Sequence, residues 1–298
     1  MAQGKRRLYV LEVVRRALGR FSRKNAWVLS SHIAMSMMMA LFPFVLFTVA
    51  LSGEIANLFS HQFVVDDVVN LVFGSWPGSV AEPISREVYA VLDSSGTGLM
   101  TLGGVLAFYF ASNGVDAIRI ALLSAYGQEE TRPFWKHRLI SLGLVILGGV
   151  GLLLAAVFEV FLPLGARFLA RFFPDLVLLR GWENGANGLI VTVVPVAAVL
   201  LYHIVLPPRR RTLWQIAPGV VTTLVLWWLA GLGFAYYVSS FASYSATYAG
   251  LAGAMAALIF LYLNAAILIF GAEINGVLET DRHRREAEAA KAVNLSKI

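Results

Sequence analysis

The sequence of 298 residues contains no cysteine, and charged residues make up only 14% of it. The absence of cysteine excludes disulfide bonds, thiolate nucleophiles and cysteine-ligated metal sites. The low charge content excludes a disordered chain and argues against a soluble globular protein, in which about 25% of residues are charged. Hydrophobic residues make up 58% of the chain, which is typical of a membrane protein with several spans.

Sequence motifs of common enzymes are also missing. The chain has no G-x-x-x-x-G-K-[ST], G-x-S-x-G or H-E-x-x-H pattern, and no two of its five histidines fall within five residues of each other. Such patterns supply a phosphate cradle, a serine nucleophile or a zinc site. We therefore predict a protein that is not an enzyme, with no catalytic residues, no metal and no cofactor.

The apolar residues are concentrated in long runs without an acidic or basic side chain. Five such runs contain 20 or more residues, and the longest, 212–272, contains 61. A helix needs about 20 apolar residues to cross the hydrocarbon core, so the longest run is enough for two helices joined by a polar turn. We predict an all-α integral membrane protein with six transmembrane helices, at residues 26–52, 97–121, 138–162, 186–206, 213–240 and 248–277.

Basic residues divide the predicted loops into two classes. Of the 24 Lys and Arg residues, 20 lie in the N-terminal segment, in the C-terminal tail and in the two loops on the same side of the membrane. Because basic loops stay on the cytoplasmic side, both termini are predicted to be cytoplasmic. The net charge of +6 then reflects topology and contact with anionic lipid headgroups, and no nucleic-acid partner is expected.

The segments outside the spans have patterns of their own. Residues 1–25 are predicted to form a basic amphipathic helix at the cytoplasmic interface. In the first outer loop, residues 53–96 carry two short apolar stripes around a Trp-Pro-Gly turn and are predicted to form a cap of short amphipathic helices. Residues 26–278, cap included, form the transmembrane domain, and residues 279–298 form a charged cytoplasmic tail. The apolar stripe of the first helix consists of Leu11, Val14, Leu18 and Phe21.

Short motifs in five parts of the chain carry a family resemblance. They are Ala-Leu-Phe-Pro at 40–43, Ser-Asn-Gly-Val-Asp-Ala-Ile at 112–118, Thr-Arg-Pro-Phe-Trp-Lys at 131–136, Ala-Pro-Gly at 217–219 and Gly-Ala-Glu-Ile-Asn at 271–275. In this order and spacing they resemble the YihY/BrkB family of bacterial inner-membrane proteins. The chain departs from the usual residues of the family at His32, Ser124, Ser245 and Ala249.

The resemblance implies a location in the bacterial inner membrane and little about activity. The family includes a protein linked to serum resistance, and it was earlier named a tRNA-processing ribonuclease. We predict that the protein binds or transports a lipid-like or amphiphilic substrate in an intramembrane cavity, with membrane lipids as its partners. One alternative is a structural protein whose outer cap binds another envelope component. A ribonuclease is disfavoured, because no metal-binding or acid–base pattern is present.

Polar side chains at membrane depth are the candidate site residues, because a charge that faces lipid is costly and normally turns towards the bundle interior. In the second predicted span, Asn113, Asp116 and Arg119 are three residues apart, which allows Asp116 and Arg119 to pair. Glu273 is expected to meet Arg119 or Arg132 across the bundle and to form a polar gate at the cytoplasmic end. The other lining candidates are Asn264, Asn275, Tyr244, Tyr248, Ser36, Glu159 and His203.

Two features of the predicted bundle have alternative explanations. Pro43, Pro195 and Pro218 each remove a backbone hydrogen bond and favour a kink. The first two fall at similar depths in the first helix of each half, as in an inverted-repeat transporter, but kinks that only adapt the shape of the bundle explain them equally well. Likewise, the charged residues of the predicted gate could simply join the cytoplasmic ends of the helices.

Overall fold

The computed structural model describes residues 2–58, 97–151, 193–241 and 251–295, together with three single residues, Glu82, Arg86 and Leu154. Within these ranges all regular secondary structure is helical, which confirms the predicted all-α class. In chain order the helices are α1 (Ala2–Arg23), α2 (Ala26–Leu58), α3 (Thr97–Tyr126), α4 (134–151, as far as it is described), α5 (Val193–Val205), α6 (Leu213–Phe241) and α7 (Leu251–Leu295).

Four of these helices, α2, α3, α6 and α7, are long and apolar enough to cross a membrane. The chain is therefore a multi-pass membrane protein, as its composition predicts. The predicted spans at 138–162 and 186–206 and the outer cap at 53–96 lie partly or largely outside the described residues. The total of six spans and the cytoplasmic termini stay predictions.

The main core lies where α2, α3, α5, α6 and α7 meet. Its side chains are apolar and almost completely buried, whereas many apolar side chains on the outer faces of the same helices are exposed. A bundle with a buried centre and an apolar exterior is the arrangement that lipid permits. The largest fully buried apolar residues are Ile33, Ile118, Leu122, Val199, Leu206 and Ile216.

Helix α1 packs against the last helix of the bundle. Val13 and Ala17 are buried against Ile274 and Val277 of α7. Phe21 is also buried, whereas Leu11 and Leu18 of the same predicted stripe are exposed. The stripe is divided because α1 has a helix on one side of it, a partner that helical periodicity alone does not identify. The exposed apolar residues of α1 are Leu8, Val10, Leu11 and Leu18.

Helix α7 extends well past the predicted end of its span at residue 277. It continues to Leu295 because residues 278–295 contain neither glycine nor proline and are rich in residues that favour helices. Arg284 and Glu288, four residues apart, form an exposed ion pair of 2.8 Å on this extension. The segment predicted as a charged tail is thus helical up to Leu295.

Helices α6 and α7 approach each other closely at two glycines. A Cβ atom added at Gly219 would overlap the backbone oxygen of Gly271 and the carboxamide of Asn275, and one added at Gly271 would overlap the hydroxyl of Thr223. Small residues allow this approach of two backbones inside a membrane. The crossing depends on both glycines, because the overlapped atoms at Gly219 include backbone that cannot turn away.

We expect Gly219→Ala to destabilise the protein by about 1–3 kcal/mol through overpacking. Gly231→Ala, in the same helix, is the matched control, since no described atom lies within 4 Å of its added Cβ. In an open helical position alanine is favoured over glycine by roughly 0.5–1 kcal/mol. The measurement is the melting temperature in detergent. Equal melting temperatures for the two variants would show that the crossing tolerates a side chain.

Candidate functional site

The carboxylate of Glu273 lies in a buried ion-pair cluster, and its side chain is only 1% exposed. It accepts a hydrogen bond of 2.8 Å from Nε of Arg20, and Nζ of Lys24 lies 3.1 Å away. The expected pairing of Glu273 with Arg119 or Arg132 is therefore wrong. The reason is the docking of α1 on α7, which brings the basic end of α1 to Glu273.

The same two cations also bind the end of α3. Nη2 of Arg20 donates a hydrogen bond of 2.6 Å to the backbone oxygen of Ala125, and Nζ of Lys24 donates one to the backbone oxygen of Ser124. The last carbonyl groups of a helix lack partners within the helix and carry partial negative charge. Burial lowers the pKa of Lys24, and Glu273 acts in the opposite direction. The cluster thus joins α1, α3 and α7 at one point.

A second cluster contains the predicted pair of Asp116 and Arg119. Nε of Arg119 donates to Asp116 at 2.8 Å, which confirms the pairing. Nη1 of Arg119 also donates to Glu130 at 2.6 Å, and Glu130 accepts a bond of 2.9 Å from Nε of Arg132. Glu130 was missed because it lies in a loop outside the spans. Its position in the sequence between Arg119 and Arg132 is the one signal that could have identified it as their partner.

Arg132 connects this second cluster to α5. Its guanidinium donates to the backbone oxygens of Val205, at 3.4 Å, and Leu206. Burial raises the pKa of Glu130, but hydrogen bonds from Arg132 and Arg119 outweigh burial and lower that pKa to about 2. The loop between α3 and α4 is therefore fixed to α5 by charge-assisted hydrogen bonds.

Asn275 forms the centre of a third, largely uncharged network. Its Oδ1 accepts a hydrogen bond of 2.7 Å from the backbone N–H of Gly219. Its Nδ2 donates one hydrogen bond of 2.9 Å to the backbone oxygen of Ile216 and another of 3.3 Å to the hydroxyl of Tyr126. Pro218 lies inside α6 as predicted. The amide therefore bonds to the backbone of α6 on both sides of this proline.

Tyr126 extends this network to two further residues. Its hydroxyl lies 2.6 Å from Nδ1 of His203, and the guanidinium of Arg211 lies 3.6 Å above its ring. Arg211 in turn pairs with Glu279 at 2.9 Å. His203 is fully buried, and its Nε2 has no hydrogen-bond partner in the described part of the chain. Tyr126, Arg211 and Glu279 were not predicted, since each lies at the end of a predicted span or just outside one.

The two asparagines predicted deepest in the membrane bond to different neighbours. Asn113 accepts a hydrogen bond of 2.8 Å from Nη1 of Arg138 in α4. Asn264 donates a hydrogen bond of 2.7 Å to the backbone oxygen of Phe260 in its own helix. Ser36 is buried in α2. Three further candidates lie outside the described residues: Glu159, Tyr244 and Tyr248.

The prolines of the other helices lie where they were predicted. Pro43 is inside α2, and Pro195 lies in the described part of α5. Whether these two positions belong to an inverted repeat stays a prediction.

A cavity of about 500 Å³ opens between the start of α4 and the connection from α5 to α6. Three of its eight lining residues are basic, the other five are apolar or proline residues, and none is acidic. This cavity was not predicted from the sequence, because the residues that line it come from two segments that are far apart in the chain. The lining residues are Arg132, Lys136, Ile140, Ile204, Val205, Pro207, Pro208 and Arg210.

Residues 17–296 match the family model described as virulence factor BrkB. The chain is a member of the BrkB family. The putative ribonuclease-like protein YfkH of Bacillus subtilis (strain 168) is 30% identical over 86% of this chain and 90% of its own length. No solved structure matches the chain.

Two further relatives in the comparison are named only as UPF0761 membrane proteins. The one from Rhodospirillum centenum is 26% identical over 89% of this BrkB-family chain, which spans 57% of that relative. The one from Alteromonas mediterranea is 23% identical over 91% of this chain and 89% of its own length. These names agree with a membrane protein, and YfkH alone carries a ribonuclease-like name. Among the described residues of our chain, no three His, Asp or Glu side chains are placed to hold a metal ion.

Acid should weaken the second cluster through Glu130. Because the pKa of Glu130 is lowered to about 2 from an ordinary 4.5, its contribution to stability is complete above about 4.5 and is lost as pH falls towards 2. At neutral pH we expect Glu130→Gln to cost about 2 kcal/mol. The difference in melting temperature between this variant and the unmodified protein should shrink over that acid window. Glu129→Gln, at the exposed neighbour, is the control, and an effect of the same size there would contradict the assignment.

Proposed function

We propose that this BrkB-family protein binds a lipid-like or amphiphilic molecule in the cavity beside α4 and moves it within the bacterial inner membrane. The observation that carries the proposal is the mixed lining of that cavity, which has basic side chains on one part and apolar side chains on another. A ligand that suits both parts has a polar head and an apolar body. Ligand sites commonly combine an apolar wall with a few polar groups that fix orientation.

The exposed tryptophans support a position of the cavity at the membrane interface. Trp135, next to the cavity residue Lys136, is 75% exposed, and Trp214, at the start of α6, is 88% exposed. Trp27 has a similar place at the start of α2 and is 53% exposed. Tryptophan is enriched at the level of lipid headgroups. On this basis the basic residues of the cavity lie at headgroup depth and its apolar wall lies towards the hydrocarbon.

The apolar wall continues onto a lipid-facing surface. Ile140 lines the cavity from α4, and Leu139 beside it is 67% exposed. Ile146 and Leu147, two turns further along α4, are exposed as well. An acyl chain that leaves the cavity along α4 would stay in contact with apolar side chains.

The proposed gate of this pathway is the cluster around Glu273. A buried ion pair adds little net stability compared with apolar packing, and an ionisable residue inside a membrane is by default a functional candidate. Arg20 and Lys24 hold Glu273 and the end of α3 together. Release of these two cations would free the end of α1 from α3 and α7, which is the movement that we assign to the gate.

A structural role is the second candidate function. It is favoured by the way in which the charged clusters join the ends of different helices: Glu273 joins α7 to α1, and Glu130 joins the α3–α4 loop to α3. In this alternative the protein would bind an envelope partner and transport nothing. A transport measurement on the purified protein separates the two candidates.

The first test fills the cavity. We expect Ile140→Trp to reduce the transfer of a fluorescent phospholipid between the leaflets of proteoliposomes at least about tenfold, since its larger ring occupies space the ligand needs. Leu139→Trp, which faces lipid one residue away, should transfer normally. The measurement is the dithionite-accessible fraction of the labelled lipid over time. No transfer by the unmodified protein, or equal loss in both variants, would contradict the proposal.

The second test removes one charge from the gate. Glu273→Gln keeps the shape of the side chain but weakens its bonds to Arg20 and Lys24, so we expect reduced transfer of the same lipid with folded protein still in the membrane. Glu288→Gln, in the exposed pair of the α7 extension, should leave transfer unchanged. Normal transfer by Glu273→Gln in proteoliposomes would remove Glu273 from the mechanism and leave it a structural residue.

A further inference from the structure

We infer that the cavity beside α4 binds the phosphate group of an anionic phospholipid. The inference rests on the proposed function, and it adds the chemical class of the ligand and the residues that recognise it. Arg132, Lys136 and Arg210 supply three positive charges to the lining, and none of the eight lining residues is acidic. A cavity with this charge favours an anion over a zwitterionic or neutral headgroup.

Arg132 serves as a fixed wall of the site. Its guanidinium is held by Glu130 and by the backbone oxygens of Val205 and Leu206. These bonds already use most of its donors and leave part of its charge compensated by Glu130. Arg132 therefore positions the loop after α5 against the start of α4, and most of the attraction for a phosphate must come from the other two cations.

Lys136 and Arg210 are the two cations available to a ligand. Both side chains are exposed, and neither forms a hydrogen bond or an ion pair with any described residue. Lys136 lies in the first turn of α4, and Arg210 lies in the connection from α5 to α6, so they line the cavity from two different parts of the chain. A phosphate between them can accept hydrogen bonds from an ammonium and a guanidinium at once.

The apolar residues of the lining favour a phospholipid over inorganic phosphate as the ligand. Ile140, Ile204 and Val205 give the cavity an apolar side, which an inorganic ion cannot use. Pro207 and Pro208 have no backbone N–H and leave fewer polar groups to satisfy on that wall. A phospholipid places its phosphate between the cations and its first acyl carbons against the isoleucines. The neighbouring exposed Trp135 fits the same depth.

The test compares two lipids that differ only in the headgroup. The full chain in detergent is titrated with dioleoyl phosphatidylglycerol or dioleoyl phosphatidylcholine, and lipid-bound protein is counted by native mass spectrometry. We expect the anionic lipid to bind about tenfold more tightly, because Lys136 and Arg210 attract its net negative charge, which the zwitterionic lipid lacks. The double variant Lys136→Gln/Arg210→Gln should bind both lipids equally.

The controls keep the outcomes distinct. Arg209→Gln/Lys291→Gln loses the same two charges at exposed positions outside the cavity and should keep the preference; loss of the preference there, or equal binding of both lipids to the unmodified protein, overturns the inference. Displacement of the lipid by millimolar inorganic phosphate would make this a phosphate site and also overturn it. If the headgroup preference is absent, Ile140→Trp separates the two proposals. Weaker binding of both lipids to this variant would leave the proposed function standing, whereas unchanged binding of both would contradict the proposed function as well.

Discussion

The carboxamide of Asn275 is the interaction on which the packing of this bundle most depends. Pro218 removes one backbone N–H from α6 next to Gly219, where α6 and α7 approach each other closely. Asn275 bonds to Gly219 and Ile216 on either side of that proline. Glycines at 219 and 271 are required because the amide is short and the two backbones must come close to meet it. The proline, the two glycines and the asparagine thus lie together at one helix crossing.

The charged residues act at the helix ends in the same way that Asn275 acts inside the bundle. In lipid the apolar faces of helices gain little from meeting each other, so polar contacts carry much of the specificity of packing. Three acidic residues of the clusters join separate parts of the chain: Glu273 joins α7 to the end of α1, Glu130 joins α3 to the loop before α4, and Glu279 joins α7 to the segment before α6. The basic partners in two of these clusters also donate hydrogen bonds to backbone carbonyls at helix ends. They thereby satisfy backbone groups that would otherwise be costly to bury.

The sequence was sufficient for local features and insufficient for partners between distant segments. Uncharged runs identified α2, α3, α6 and α7, and the three-residue spacing of Asp116 and Arg119 identified their pair, because both signals lie within one helix. The partner of Glu273 was missed, since amphipathicity places α1 equally well on a membrane surface or against α7. The cavity was missed for the same reason: Lys136 and Arg210 are 74 positions apart, and only the packing of α4 against the end of α5 brings them to one space.

Arg132 links the structural clusters to the proposed ligand site. The same guanidinium that bonds to Glu130 also lines the cavity and holds the end of α5. Glu130 is shared with Arg119, whose other partner is Asp116 in the membrane-spanning part of α3. On our proposal, an anion held by Lys136 and Arg210 lies next to Arg132 and therefore beside the ion pair of Arg132 with Glu130. The structural role of these ion pairs and the proposed ligand site are compatible, because Arg132 takes part in both without giving up its bonds to Glu130.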